Sequence, residues 1–310
     1  MFMTHLPIIE NPSRYVAIAE GVLVTLILGS TLVFNKMALD YMGPLTITGL
    51  RYFLAFLLLL PFVLSRKSST CFSFYIWIRL LLLGISFYAI GNGAIVWGLK
   101  YIPATTCSLM LSFVPLIVLF ASVLWLKEVP TGLQMMGIAV ALAGSALFFS
   151  PGFKTGEPLG IGIMAIGLIG SASLGLFGRA LTRERLVDTL SLTAIPLAIG
   201  SGVLLPLAFS MEGMPELLAK PWGIVLLLAV LNTACVYMLY NHALRVLAAF
   251  ELSVITNLTP LVTALWAWLL LGERLRTVQL VGMVTVIIGV AIVQWRRQSP
   301  NAVSPDGEAP

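Results

Sequence analysis

Residues Thr259 to Val293 read TPLVTALWAWLLLGERLRTVQLVGMVTVIIGVAIV, an apolar run opened by a proline, a short charged turn, and a second apolar run set with glycines. The same design stands earlier, from Phe113 to Phe149, as FVPLIVLFASVLWLKEVPTGLQMMGIAVALAGSALFF. Pro115 answers Pro260, Leu126 answers Leu271, Glu128 answers Glu273, Gln134 answers Gln279, Gly137 answers Gly282 and Gly144 answers Gly289. The offset is constant, since 260 − 115 = 145 and 289 − 144 = 145, and without a gap it carries Trp77 onto Trp222 and Pro61 onto Pro206. A register held over so long a stretch predicts an internal duplication covering most of the chain.

Composition sets the solvent. Of 310 residues, 59% are hydrophobic and 10% charged, with a mean hydropathy of +1.01. Soluble domains carry about a quarter charged residues, so the pattern is that of a multi-pass membrane protein. The formal charge of +5 resides in Lys and Arg between apolar runs, which orients helices in a bilayer and gives no reason to expect nucleic-acid binding. Cys71, Cys107 and Cys235 lie in separate segments without metal-type spacing, as apolar fillers do. The opening MFMTHLPIIENPSR, with two prolines and an acid before a full-length span, is not the pattern of a cleaved signal peptide.

A helix needs roughly 20 apolar residues to cross the hydrocarbon core. Such runs begin near Tyr15, Pro44, Phe74, Ala104, Gly132, Leu159, Leu190, Trp222, Leu252 and Val278. The expected fold is therefore an all-α membrane protein of ten transmembrane helices. Residues 1–14 form an N-terminal segment, 15–150 a first five-helix repeat, 151–297 a second, and 298–310 a disordered tail. With the N-terminus inside, ten Lys and Arg residues fall on the cytoplasmic side (Arg14, Arg66, Lys67, Lys127, Arg179, Arg183, Arg185, Arg245, Arg296, Arg297) against six outside. That count, which leaves Arg51 and Arg79 aside as span-edge residues, favours both termini in the cytoplasm. Five helices per repeat is odd, so the second repeat enters inverted, a design of secondary transporters whose substrate site lies between the halves near the midplane.

The paired L-x-E and Q-x-x-G elements (Leu126, Glu128, Gln134, Gly137; Leu271, Glu273, Gln279, Gly282), the mid-span Pro115 and Pro260, and the first-span GSTLVFNK resemble the drug/metabolite transporter superfamily. More narrowly they resemble its EamA-type ten-helix members, over almost the whole chain. The resemblance implies alternating-access transport of a small organic metabolite, commonly amino-acid or metabolite export across the bacterial inner membrane. Among such members the chain is similar overall to bacterial aromatic amino-acid exporters. It departs from the family's usual Gly-Glu after the fourth span, where it has Lys127-Glu128.

The candidate site follows from what is polar inside these spans. Pro115 and Pro260 each free a carbonyl one turn back, at Leu111 and Thr256, and their symmetry is that of a hinge pair. Ser108 and Ser112 match Ser253 and Asn257 across the offset, and i, i+4 spacing sets each pair on one inward face. Serines there also bond back to the preceding turn. Spans three and eight add Tyr88, Asn92, Tyr237 and Asn241, with Asn232 and Tyr240 nearby and Trp97 aligned to His242. Trp97, Tyr101, Tyr240 and His242 lie near span ends, where an interfacial belt is the simpler role. Ser30, Thr31 and Asn35 in span one, and Ser171 and Ser173 in span six, sit among glycines that allow close helix packing. An apolar pocket with a few amides and rings suits an amino acid with an aromatic or other large side chain.

No carboxylate is placed at a span midpoint, which favours a facilitator, with ion coupling through Glu20 or His242 as the alternative. Glu128 and Glu273 sit at turns where a carboxylate supports the next helix's N-terminus. Neither HExxH nor GxSxG occurs and His5 lies far from His242, so no enzymatic activity, cofactor or metal is expected. The expected partners are a small-molecule substrate and the lipid bilayer. A scaffold would not need paired hinges, saturation and flux rate separate a carrier from a channel, and the oligomeric state stays open and compatible with a monomer.

Overall fold

The computed structural model describes residues 12–65, 72–98, 100–102, 107, 110–152, 157–183, 187–214, 219–263 and 276–294. Helices account for the regular structure among them, and no strand occurs. In chain order they are α1 (Arg14–Leu39), α2 (Pro44–Leu64), α3 (Phe74–Gly98), α4 (Val114–Leu126), α5 (Gly132–Phe149), α6 (Pro158–Arg183), α7 (Thr189–Met211), α8 (Pro221–Ala243), α9 (Ala249–Thr256) and α10 (Thr277–Gln294). Among the described residues eight of these, all but α4 and α9, are long and apolar enough to cross a membrane, and α4 is a shorter apolar helix. Large apolar side chains cover the outside, among them Leu57, Leu58, Phe62, Ile166, Ile169 and Ile287. In water that surface would be an aggregation liability; against acyl chains it is the solvated face.

The helix starts have identifiable causes. Ser13 caps α1 by accepting from Val16 N, Asp188 caps α7 through Ser191 N, and Thr131 with Gln134 forms a capping box on α5. α2 begins after Gly43 with no side chain of its own to cap it. Glu212, at the end of α7, supplies the missing acceptor: its carboxylate receives Leu45 N at 3.0 Å and Thr46 N and Oγ1 at 2.8 Å. That contact ties the second half of the chain to the first.

Packing then explains the glycines. α5 and α10 lie so close that a Cβ on Gly137 would stand 2.8 Å from Gly289 O, and one on Gly144 would stand 2.6 Å from Val286 N. A Cβ on Gly282 would meet Phe148 N at 2.6 Å, and one on Gly289 would collide with Ala141 N. The four glycines that answer one another in sequence thus form one helix pair. α3 is held similarly between α6 and α7, where Gly91 meets Gly170 and Gly84 meets Ile199.

α3 and α8 each contain a widened, π-type turn, at Gly84–Gly91 and Val230–Cys235. Adding 145 to 84–91 gives 229–236, so the two turns correspond. The wide turns are stitched by side chains that reach carbonyls five residues back: Asn92 Nδ2 to Phe87 O at 3.1 Å, and Thr233 Oγ1 to Leu228 O at 2.9 Å. Such turns are frequent at functional sites.

Candidate functional site

Both prolines stand at helix breaks. The regular helical hydrogen bonding is interrupted at Ser112 and Phe113, just before Val114–Pro115, and at Asn257 and Leu258, before Thr259–Pro260, while Phe113 and Asn257 keep right-handed helical dihedrals. The backbone bonds around the breaks repeat as well, Leu116 N to Phe113 O in one and Leu261 N to Leu258 O in the other, at 3.0 Å each. The cause is the one the sequence predicts: proline cannot donate to the preceding turn and clashes with it. The result is a two-residue interruption of the helical ladder at the matching place in each half.

A cavity of about 250 Å³ lies against these breaks. Pro115, Pro260, Asn257 and Ser253 line it from α4 and the α9 region, Asn92 from α3, and Tyr237 from α8. It extends toward the face opposite Arg14, because Asn35 and Val96, near the ends of α1 and α3 at that face, also line it. Asn257 Nδ2 donates to Ser145 Oγ at 3.3 Å, which holds the amide in the wall.

Other expected site residues stand behind that wall. Tyr88 is fully buried, with its ring edge-on to Tyr52 at 5.2 Å and to Tyr237 at 5.1 Å, and supports Tyr237 rather than lining the cavity. Asn241 is buried and donates to Thr193 Oγ1 at 3.0 Å, linking α8 to α7. Ser30 and Ser173 bond back to Ile27 O and Gly170 O, as serines in helices do. Ser112 is buried at the break. Trp97 is half-buried and does not line the cavity. Ser108 and Glu273 lie outside the described residues, as does the expected tail at 298–310.

Three readings are corrected. Tyr240 is no interfacial residue: it is buried and faces the cavity, because it lies three residues after Tyr237 and shares its inward face of α8. Arg51 is no span-edge residue: it is 3% exposed and lines the cavity. Glu128 does not cap the next helix, α5, whose N-terminus Thr131 already serves. It caps α9 instead, accepting from Ala249 N at 3.3 Å, and pairs with Arg179 at 2.7 Å. Asn232 also lines the cavity, its Nδ2 donating to Ile27 O, Ser30 Oγ and Thr31 Oγ1 of α1.

At the Arg14 face a polar network joins the helix ends. Arg14 pairs with Glu251 at 2.8 Å, Gln134 Nε2 donates to the same carboxylate at 3.1 Å, and Gln294 Nε2 donates to Glu251 O at 3.2 Å. Glu128 with Arg179, and Arg183 Nη1 with Leu126 O, continue it. Every one of these contacts joins helix ends that the antiparallel order brings to one face. Elsewhere, His242 Nδ1 lies 2.7 Å from Glu20 Oε1, between α8 and α1.

The profile of the EamA-like transporter family matches residues 16–150 and again 158–295. The chain belongs to the EamA-like transporter family. It is accordingly a multi-pass membrane transporter. It is 27% identical over 278 residues to the Uncharacterized transporter YvbV of Bacillus subtilis (strain 168), spanning 87% of this chain and 88% of that protein. It is 26% identical over 282 residues to the S-adenosylmethionine/S-adenosylhomocysteine transporter of Chlamydia muridarum (strain MoPn / Nigg), spanning 85% and 87%. A solved crystal structure shares the EamA-type fold of this chain with a TM-score of 0.74 at 17% identity, over 90% of this chain and 96% of that one. Both curated relatives are named as transporters.

Proposed function

We propose that this EamA-family member exports amino acids from a bacterial cell, aromatic or large neutral ones preferred, by alternating access and down the substrate's own gradient. One observation carries the reading: a cavity lined by rings and amides abuts two helix breaks that match across the duplication. Under this reading ten helices form two inverted repeats, 15–150 and 151–297, in the inner membrane with both termini cytoplasmic. The Arg14 face is then the cytoplasmic side, sealed by its polar network, and Pro115 and Pro260 are the hinges that open it. No cofactor takes part.

Efflux tests the proposal. Cells loaded with phenylalanine as a dipeptide should lose it several-fold faster when they express the protein, and sugars should leave at unchanged rates. Equal phenylalanine efflux with and without the protein would refute amino-acid export and turn attention to other metabolites, the S-adenosyl compounds of the chlamydial relatives' names first.

Proton-coupled export is a second reading, favoured by the Glu20–His242 contact and by Glu20 Oε2 and His242 Nε2, which are buried and unpartnered. Under it, Glu20→Gln abolishes any response of efflux to an imposed pH gradient; a response that survives removes Glu20 from the relay.

A further inference from the structure

Arg51 stands about 10 Å along α2 at 1.5 Å per residue, in the wall of the cavity. Its Nη2 donates to Tyr52 Oη at 3.0 Å, and the guanidinium carbon is 4.8 Å from that ring's centroid. Its Nε, buried, has no hydrogen-bond partner. Among the described residues no carboxylate pairs with it: Glu20, Glu128 and Glu251 engage His242, Arg179 and Arg14, and Glu212 caps α2. A guanidinium desolvated inside a membrane bundle without a counter-ion is costly, and ionisable groups in such places mark substrate paths.

Asn232 lines the same cavity from the wide turn of α8. Its amide orientation is fixed, because Ile27 O can only accept and so must face Nδ2. Oδ1 therefore points away from α1; it is buried and has no partner. One wall thus offers a donor cation without a carboxylate partner and another an unsatisfied acceptor, about a cavity whose remaining lining mixes apolar groups and rings with the amides and hydroxyls of residues such as Asn92, Asn257 and Ser253.

We infer that Arg51 and Asn232 are the two poles of the binding site: Arg51 pairs the carboxylate of the substrate, and Asn232 Oδ1 accepts from its ammonium group. This rests on the carrier reading above and narrows its substrates to molecules that carry both groups. Arg51 suits a carboxylate better than lysine would, since its planar fork presents parallel N–H donors.

The test is thermal stabilisation of the purified full-length protein by the common amino acids, each beside its amide and its deamino acid, with glucose and adenosine as uncharged controls. The wild type should be stabilised by one or more amino acids, at concentrations about tenfold or more below those their amides require. Arg51→Gln should lose this preference while keeping its response to the amide, and Arg51→Lys should keep part of it. Asn232→Ala should bring the amino acid and its deamino acid to the same midpoint. If Arg51 only braces Tyr52, Arg51→Gln lowers the unliganded melting temperature and leaves the acid-over-amide ratio unchanged, which overturns the inference. Stabilisation by uncharged compounds only, by amides at the same concentrations as the amino acids, or by none of the amino acids also overturns it. Amino acids that bind with the expected selectivity but are not exchanged across proteoliposomes would leave the two poles standing and remove the carrier reading instead.

Discussion

Replacing Glu128 by Gln should shift the carrier toward the conformation that is open at the Arg14 face. Glu128 accepts from Arg179 Nε at 2.7 Å and from Ala249 N at 3.3 Å, and its side chain is 11% exposed and that of Arg179 12%, so solvent screens the pair little. Glutamine keeps the shape and one acceptor but turns charge-assisted bonds into neutral ones, a difference of about 1–1.5 kcal/mol. On the proposed alternating-access cycle these bonds break when the face opens, so the open population should rise about tenfold. Glu251→Gln, which weakens the contacts to Arg14 and Gln134, should act in the same direction. The double variant should fall short of the product of the two, since both carboxylates bond to the first turn of α9. The assay is maleimide labelling of Ser171→Cys in the cavity wall, with Cys71, Cys107 and Cys235 replaced by serine, applied from each face of oriented vesicles. The parent should label from the face opposite Arg14, and Glu128→Gln should label about tenfold faster from the Arg14 face. An unchanged or slower rate from that face would refute a gating role for the network.

Three further outcomes rest on named contacts. Lys127 holds φ 54°, ψ 31° after α4, a left-handed cap that costs a non-glycine residue roughly 1–2 kcal/mol, so Lys127→Gly should raise the melting temperature in detergent, and a drop would mean that its side chain is needed there. Gly289→Leu should drive α10 off α5, because even a Cβ collides with Ala141 N; a cost of about 1–3 kcal/mol or more should appear as lost melting temperature, and wild-type stability would contradict the packing. Pro115→Ala and Pro260→Ala should slow exchange more than they weaken substrate binding, and unchanged turnover in both would remove the hinges.

Much of the fold is legible because bilayer helices announce themselves: apolar runs bounded by charge gave starts within three residues of α1, α2, α3, α5, α6, α7, α8, α9 and α10. The glycine pairs and the prolines could be read in advance for a similar reason, since each has a single physical use at its position. The site was harder. Period and depth place Asn92, Tyr237, Ser253 and Asn257 on inward faces, but they cannot tell a cavity wall from the layer behind it, where Tyr88 and Asn241 lie. Tyr240 lies near the end of its span, where a ring reads as interfacial, yet it shares the inward face of Tyr237 three residues earlier. Arg51 was visible as a cation seven residues into an apolar run, yet an arginine there reads as snorkelling to the interface until its surroundings are known. Glu128 shows the same limit: sequence finds a helix terminus to cap, and only tertiary contact says which one.

Counterflow by the purified protein is the most direct measurement of all. Proteoliposomes preloaded with unlabelled amino acids, sugars or nucleotides are offered labelled phenylalanine, with and without a pH gradient. Uptake stimulated by preloaded aromatic or large neutral amino acids, saturable and indifferent to the gradient, is the result a facilitative carrier gives. Uptake that no preloaded amino acid stimulates would contradict amino-acid exchange through this cavity.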